Sequence, residues 1–336
     1  MKLEQGKLMR IMWGFCLVLS LTGLFGCGNA AKNQPGEYRA PASGVVEPVS
    51  RAEGGVVSLA PVWEGLRERL ARDGVSGPQV DSLLADLSPV PTQSPMGRKI
   101  AELYQKAFYP KPKQTTPQKY YKGVVTPANA QLCRQFVAEH EDAFSSAWRR
   151  YGVPSNIAVA LLFVETRLGK VLGDVPENAF YTLASMAVST RPEDISQWLP
   201  RLKGYQEHLA WLDETMRKRA NWAFNETKAL IMHMMKDGVP PQRLPGSIYG
   251  AVGLCQFMPS NISVYGADGD NDGRVDLFTV PDAVASLSYY LARHGWKPGL
   301  SQAAQHKVLM TYNHSKVYAN TILALADMVA KNGTAK

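Results

Sequence analysis

The stretch Asn156–Gly169 reads NIAVALLFVETRLG, and its reading decides the fold. Pro154 stands before it and Gly169 ends it, start and stop signals for a helix. Glu165 is its only acid. On a helix the positions that share its face are Ala158, Leu161, Leu162 and Leu168. Glu165 therefore points into an apolar face close to the helix C-terminus. Burial disfavours the ionised carboxylate, and so do the carbonyl ends of the last turn. A carboxyl with a raised pKa is what a general acid at neutral pH requires. A second reading pairs Glu165 with Arg167 or a more distant base, and the helix by itself does not choose.

Outward from this helix the chain reads as mainly α. Thr126-Pro127 has the form of an N-cap with proline at the first helical position, and the spacing predicts one helix from there through Trp148 to Tyr151. A long helical segment is predicted from Ile195 to Asp237. Trp198, Leu202, Tyr205, Leu209, Leu212 and Met216 fall at helical spacing there, a core stripe and not a sugar platform. The last helices are expected over Pro281–His294 and Ala303–Lys331. No run of alternating strands stands out, and a small hairpin stays open. Upstream, in PVWEGLRERLARDG, Trp63, Leu66 and Leu70 share one face and Gly74 closes the helix. GPQVDSLLADL predicts a second short helix ending before Ser88-Pro89, and another helical stretch lies around Lys99–Phe108. PKPKQTTP, Pro110–Pro117, is a basic, proline-rich loop. Ala30 to about Ala60 reads as a flexible tether.

The N-terminus reads as a separate device. Lys2, Lys7 and Arg10 precede an uncharged apolar run, Ile11–Gly26, too short for a membrane span of about 20 residues. Leu24-Phe25-Gly26-Cys27 resembles a bacterial lipoprotein signal, in which Cys27 is acylated and becomes the new N-terminus. An uncleaved anchor helix is the other reading, and both export the chain. Gly28, by resemblance to Gram-negative lipoproteins, directs the protein to the periplasmic face of the outer membrane. The 336 residues carry +8, with 45% hydrophobic and 20% charged side chains. That balance excludes a disordered chain, a collagen and a coiled-coil rod. Cleavage after Gly26 leaves 34 basic and 28 acidic side chains, +6 over 310 residues. The basic residues are spread along the chain, and export removes nucleic acid as a partner. Cys133 and Cys255 remain, with free thiols as the default.

Three motifs carry a family resemblance. VETRLGKVLG around Glu165 resembles the catalytic stretch of the MltB-type lytic transglycosylases. GSIYGAVGLCQFMPSN, Gly246–Asn261, is similar to that family's Gly-Ser…Gly-Ala-x-Gly-x-x-Gln-Phe-Met-Pro-Ser stretch. Tyr312-Asn313-His314-Ser315 resembles its Tyr-Asn-x-Ser turn. The resemblance spans roughly Val62 to Met328. It implies a lysozyme-like α+β core with an additional helical domain and an EF-hand-like loop. The organisation it suggests is a signal peptide over 1–26 and a tether over 27–60. An N-terminal helical segment over 61–125 packs on a catalytic domain over 126–332. It further implies cleavage of peptidoglycan between N-acetylmuramic acid and N-acetylglucosamine, with 1,6-anhydromuramoyl ends. Glu165 would serve as acid and then as base, without a cofactor. Ser247, Gln256, Tyr312 and Asn313 match family positions lining the site; their plainer role is loop capping. Gly250 and Gly253 let backbone approach a sugar or a helix closely. Two departures stand out: Cys255 occupies a position where the family often has Gly or Pro, and Pro192–Asn221 lacks a close counterpart in shorter members. A silent peptidoglycan-binding lipoprotein and a lysozyme-type hydrolase are the competing functions.

A last motif binds no sugar. Asp268, Asp270, Asp272 and Asp276 stand at EF-hand positions 1, 3, 5 and 9, with Gly273 at 6 and the Arg274 carbonyl at 7. Position 12 is Thr279, so the bidentate acid is missing from the 268–279 loop. Asp282 falls three residues beyond the standard spacing. The expectation is a weakened, structural Ca²⁺ site, or else a solvated acidic turn.

Overall fold

A helix apolar on every side must be wrapped by others, and the rest of the chain does this for the segment that holds Glu165. The structure is a computed structural model that describes residues 59–112, 118–175, 177–241 and 244–331. Within it the central helix is α6, Ser155–Thr166, whose residues Ile157 to Phe163 are all buried. It is enclosed by α4 (Pro127–Glu139), α5 (Glu141–Tyr151) and α12 (Lys316–Lys331). Thr126 caps α4 as its sequence predicts, its hydroxyl accepting from the Asn129 N–H at 3.2 Å. The expected single helix from Thr126 to Tyr151 is in fact two. His140, at φ −125°, ends α4 and begins α5.

The N-terminal helices form a shoulder. They are α1 (Pro61–Arg72), α2 (Pro78–Ala85) and α3 (Ser94–Phe108). Trp63, Leu66 and Leu70 are buried on one face of α1, and Gly74 takes the left-handed conformation that closes it. This shoulder packs on α7 (Ala179–Val188) and α8 (Leu209–Asp237). Lys228 of α8 pairs with Asp73 at 2.6 Å, just past α1. Helix α7 lies in a stretch whose spacing predicts no particular element. Asn178 caps it, accepting from the Tyr181 N–H at 2.8 Å, and nearly every residue of it is buried. A helix buried all round has no polar stripe to give it away.

One further expectation is corrected. The segment from Ile195 to Asp237 is not one helix: three short 3-10 turns, Pro192–Ile195, Leu199–Arg201 and Tyr205–His208, precede α8. Pro200 removes a backbone donor, and Gly204 sits at φ 67°, so an α-helix cannot run through. The apolar stripe is consequently split. Leu202, Leu212 and Met216 are buried, whereas Leu209 is 47% exposed. Trp198 lies flat on α3 at Gly97, where a Cβ would meet the indole at 2.2 Å. The last segment holds α11 (Gln302–Tyr312) and α12, parted at the Tyr312–Ser315 turn, where Asn313 is extended. Between α8 and α11 come α9 (Pro259–Tyr265) and α10 (Val280–Arg293).

Strand structure among the described residues amounts to three isolated antiparallel bridges, Asn178 with Pro245, Gly246 with Val252, and Val252 with Phe257. These fold residues 245–257 into a tight polar loop. No helix among the described residues is long and apolar enough to cross a membrane. The leader, Cys27 and nearly all of the tether lie outside the described residues.

One side chain joins the central helix to that loop. Thr166, fully buried, donates its hydroxyl to the Leu254 carbonyl at 2.9 Å and accepts from the Gly169 N–H at 3.0 Å. Replacing it by valine keeps the volume and leaves both backbone groups unpaired. Thr166→Val should cost about 1–3 kcal/mol, read as a fall of several degrees in Tm by differential scanning calorimetry.

Candidate active site

Glu165 occupies the last turn of α6. Beyond it Arg167, Leu168 and Gly169 all have left-handed backbone, at φ 53°, 63° and 84°. This turn takes the chain away from the helix axis and leaves the acid at the end of the buried segment. Arg167 points out to solvent, with its guanidinium 4.9 Å from the centre of the Phe163 ring. Among the described residues no cation stands within ion-pair distance of Glu165. The paired reading of this acid is therefore excluded there.

The Glu165 partner is Tyr318, which the sequence reading did not single out. Its hydroxyl donates to Glu165 Oε1 at 2.5 Å from the first turn of α12. As a residue Glu165 keeps partial exposure, yet its carboxyl is enclosed deeply enough that burial dominates. Burial pushes its pKa up to about 7, against a smaller lowering by the Tyr318 hydrogen bond. The Glu165 charge reaches Tyr318, Tyr312, Tyr121 and Cys255. None of the four is a carboxylate. Burial drives Tyr312, Tyr318 and Cys255 well above their ordinary values, so all three are neutral at pH 7. Tyr318 gave one faint signal in sequence, a tyrosine one turn into the helix that follows Tyr312-Asn313.

Of the other expected residues, Tyr312 stands close enough to feel the Glu165 charge, while Ser247, Gln256 and Asn313 are engaged with backbone groups of their own loops. Tyr312 ends α11, stacks parallel to Tyr318 at 6.4 Å, and donates to the Cys255 carbonyl at 2.5 Å. Asn313 follows in the turn, and its carbonyl accepts from the Ser315 N–H at 2.7 Å. Gln256 has left-handed backbone at φ 51°, a strained position for a side chain with a Cβ. Its amide donates to the carbonyls of Gly253 at 3.0 Å and Leu172 at 3.2 Å. Ser247 is buried, and its hydroxyl accepts from the N–H groups of Ala251 at 3.1 Å and Tyr249 at 3.3 Å. Cys255 is fully buried and packs. The two glycines serve close packing of protein on protein. A Cβ at Gly250 would meet Leu183 of α7 at 2.3 Å, and one at Gly253 would meet Leu277 at 2.4 Å. Cys133 is also buried as a free thiol, pushed up to about 12.

The acidic loop differs from its expected ligand set. The carboxylates that converge are those of Asp268, Asp270 and Asp282, all within 4.8 Å of one another. Asp282 was set aside on spacing, but α10 begins at Val280 and swings it back over the loop. It is buried, and it accepts from the N–H groups of Gly269 and Asp276, both at 2.7 Å. Asp268 accepts from Asn271, Asp272 and Gly273, as an EF-hand first position does in closing its loop. Asp272 instead accepts from the Arg274 N–H and Asp276 from the Phe278 N–H, both at 2.9 Å. Burial and the neighbouring Asp270 and Asp268 push Asp282 up to about 6. A hard divalent cation would relieve that repulsion, and an all-oxygen donor set fits one.

An acid with its pKa near 7, among tyrosine hydroxyls and with no second carboxylate beside it among the described residues, has the features of a general acid in a helical body. The transglycosylase SLT domain matches residues 58–305, and the chain belongs to this family. It is 33% identical over 181 residues to the membrane-bound lytic murein transglycosylase B of Escherichia coli K12, covering 54% of this chain and 42% of that one. The match thus spans less than half the length of that relative. Its fold is that of soluble lytic transglycosylase SltB1 from Pseudomonas aeruginosa, at TM-score 0.62 and 21% identity, over 82% of this chain and 99% of that one. The Escherichia coli lytic transglycosylase Slt35, solved in complex with calcium, matches at TM-score 0.58 and 22% identity, over 82% and 95%.

The raised acid has a consequence for stability. With its pKa near 7 in the fold against 4.5 unfolded, folding takes up a proton between those values. The contribution is present below pH 4.5 and is lost as pH rises through about 7. Glu165→Gln removes the buried charge. Its Tm should exceed that of the parent at pH 8 and approach it at pH 4, measured by calorimetry across that range.

Proposed function

We propose that this chain is an exported lytic transglycosylase that cleaves the glycan strands of peptidoglycan. The observation that carries the reading is the enclosed Glu165 carboxyl, hydrogen-bonded by Tyr318 and with no second acid beside it among the described residues. Hydrolysis of a glycosidic bond ordinarily uses two carboxylates, one to protonate the leaving oxygen and one to engage water or carbon. Here Glu165 protonates the oxygen linking C1 of the muramoyl residue to the next sugar, and the C1–O bond breaks. The carboxylate so formed takes the proton from the muramoyl 6-hydroxyl, whose oxygen closes on C1. The proton returns to Glu165, the product ends in 1,6-anhydromuramic acid, and no water is consumed. A pKa near 7 suits a group that gives a proton and then takes one. The developing positive charge at C1 faces oxygen dipoles, with Ser247, Gln256, Tyr312 and Asn313 as the groups lining the strand.

Two attributes go with this reading. Acylation of Cys27 holds the enzyme at the periplasmic face of the outer membrane, within reach of the wall. A Ca²⁺ ion sits among Asp268, Asp270 and Asp282, where it is structural and takes no part in the chemistry.

The decisive experiment is digestion of purified sacculi with mass analysis of the sugars. Anhydromuramoyl ends are expected, and Glu165→Gln should yield none. Reducing ends would make the protein a hydrolase, and intact strands a binding module. For the ion, millimolar calcium should raise Tm by a few degrees over the chelated protein, and Asp282→Asn should abolish the difference. An unchanged Tm on chelation sinks the metal site.

A further inference from the structure

The turn that carries Ser247 is gripped from outside by the N-terminal shoulder. Within the turn, the Gly250 N–H donates to the Ser247 carbonyl at 2.8 Å, and the Ser247 hydroxyl takes the N–H groups of Tyr249 and Ala251. The two residues between, Ile248 and Tyr249, are each tied toward α3 by a carboxylate. Glu102 of α3 accepts from the Tyr249 hydroxyl at 2.7 Å with one oxygen and from Lys99 Nζ at 2.9 Å with the other. Lys99 Nζ also stands 3.8 Å from the centre of the Tyr249 ring, and the half-buried Arg219 of α8 feels the same carboxylate. Asp174 accepts from the Ile248 N–H at 2.6 Å and faces Arg98 of α3 at 3.9 Å.

Asp174 also belongs to the chain that leaves the Glu165 helix. The Val171 N–H donates to the Thr166 carbonyl at 2.9 Å, and the Leu172 carbonyl accepts from the Gln256 amide at 3.2 Å. A Cβ on Gly173 would meet the Gly246 carbonyl at 2.5 Å, so backbone lies on backbone there. Residues 172–174 thus touch the polar loop at Gln256, Gly246 and Ile248 in succession. The shoulder, the exit of α6 and the Ser247 turn form one connected path. Stability does not account for the two acids. The side chains of Glu102 and Asp174 are 45% and 37% exposed, and ion pairs so open to water contribute little. What their oxygens do is fix the direction of one short turn. Dipoles aimed at a developing charge serve only where they are held in place, and a displacement of about 1 Å is costly.

We propose that Glu102 and Asp174 are positioning residues for glycan cleavage, acting through Tyr249 and Ile248 on the turn that carries Ser247. The proposal rests on the glycan-cleaving reading of Glu165, with Ser247 facing the strand. An interaction realised in the transition state shows in kcat and leaves KM little changed. The shoulder is then a working part of the site, although none of its side chains touches the sugar.

The test measures kcat and KM for release of anhydromuramoyl products from soluble glycan strands, per folded protein as read by circular dichroism. Glu102→Ala and Asp174→Ala should each lower kcat by about three- to ten-fold with KM little changed. Glu102→Gln should recover most of the loss, because its amide oxygen still accepts from the Tyr249 hydroxyl. Tyr249→Phe should match Glu102→Ala, and the two together should cost no more than either alone, since they share one hydrogen bond. Asp73→Ala, which breaks the other ion pair between the shoulder and α8, should leave kcat as it is. An unchanged kcat in Glu102→Ala, a rise in KM alone, losses that multiply in the double variant, or an equal loss in Asp73→Ala overturns the positioning role. No anhydro product from the wild-type protein overturns the function, and the positioning role falls with it.

Discussion

A carboxyl group at the end of an entirely apolar helix is the constraint on which the rest of the structure depends. Helix α6 has no solvent face, so α4, α5 and α12 must close around it. Glu165 stands where that enclosure ends, and the three left-handed residues after it are what let the chain leave. A continuing helix would carry the acid into the middle of a buried rod. A helix ending one turn earlier would leave it in water with an ordinary pKa. The Tyr318 hydroxyl satisfies one carboxyl oxygen without supplying a charge, so burial sets the proton affinity. A lysine or arginine in its place would pull the acid down and keep it ionised.

The polar loop and the acidic loop are mechanically one. Thr166 ties the Leu254 carbonyl to α6, and the Leu254 N–H donates to the Leu277 carbonyl at 2.8 Å. Leu277 is also the residue against which Gly253 packs. Leu277 stands near the end of the acidic loop, next to Asp276, whose N–H is held by Asp282. On the other side, Glu226 of α8 is buried and takes both the N–H and the hydroxyl of Ser260, each at 2.9 Å. That fixes the start of α9, four residues beyond Gln256. His233 and Asp237, near the end of α8, form a buried pair at 2.8 Å, and Asp237 also accepts from the Val275 N–H. The strained backbone of Gln256 is thus held from α6, from α8 and from the acidic loop. The acidic loop, distant from Glu165 in sequence, is thereby tied to the turn that holds Gln256.

What could be read in the sequence follows from periodicity and local chemistry. Thr126-Pro127, the Trp63 face and the apolar run around Glu165 signal through spacing, and the structure has them. Where a helix breaks for a reason other than proline or glycine, as at His140, the pattern on either side conceals the break. Helix α7 has no pattern to read, being buried all round. In the site, Glu165 was legible because one acid among apolar neighbours is a contradiction that needs a reason. Tyr318 and Asp282 were not. Tyr318 meets Glu165 across 153 residues, and the return of Asp282 depends on the angle at which α10 begins.

The distribution of charge around the acid is itself an argument about how such a site works on a charged polymer. Within contact of Glu165 every titratable neighbour is neutral at pH 7, as a carboxyl with a pKa near 7 demands. Among the described residues no cation pairs with Glu165, and Arg167 points away to solvent. A cation in contact would favour the carboxylate and take away the proton that a general acid needs. A neutral wall of buried hydroxyl and thiol groups keeps that proton on the carboxyl at neutral pH.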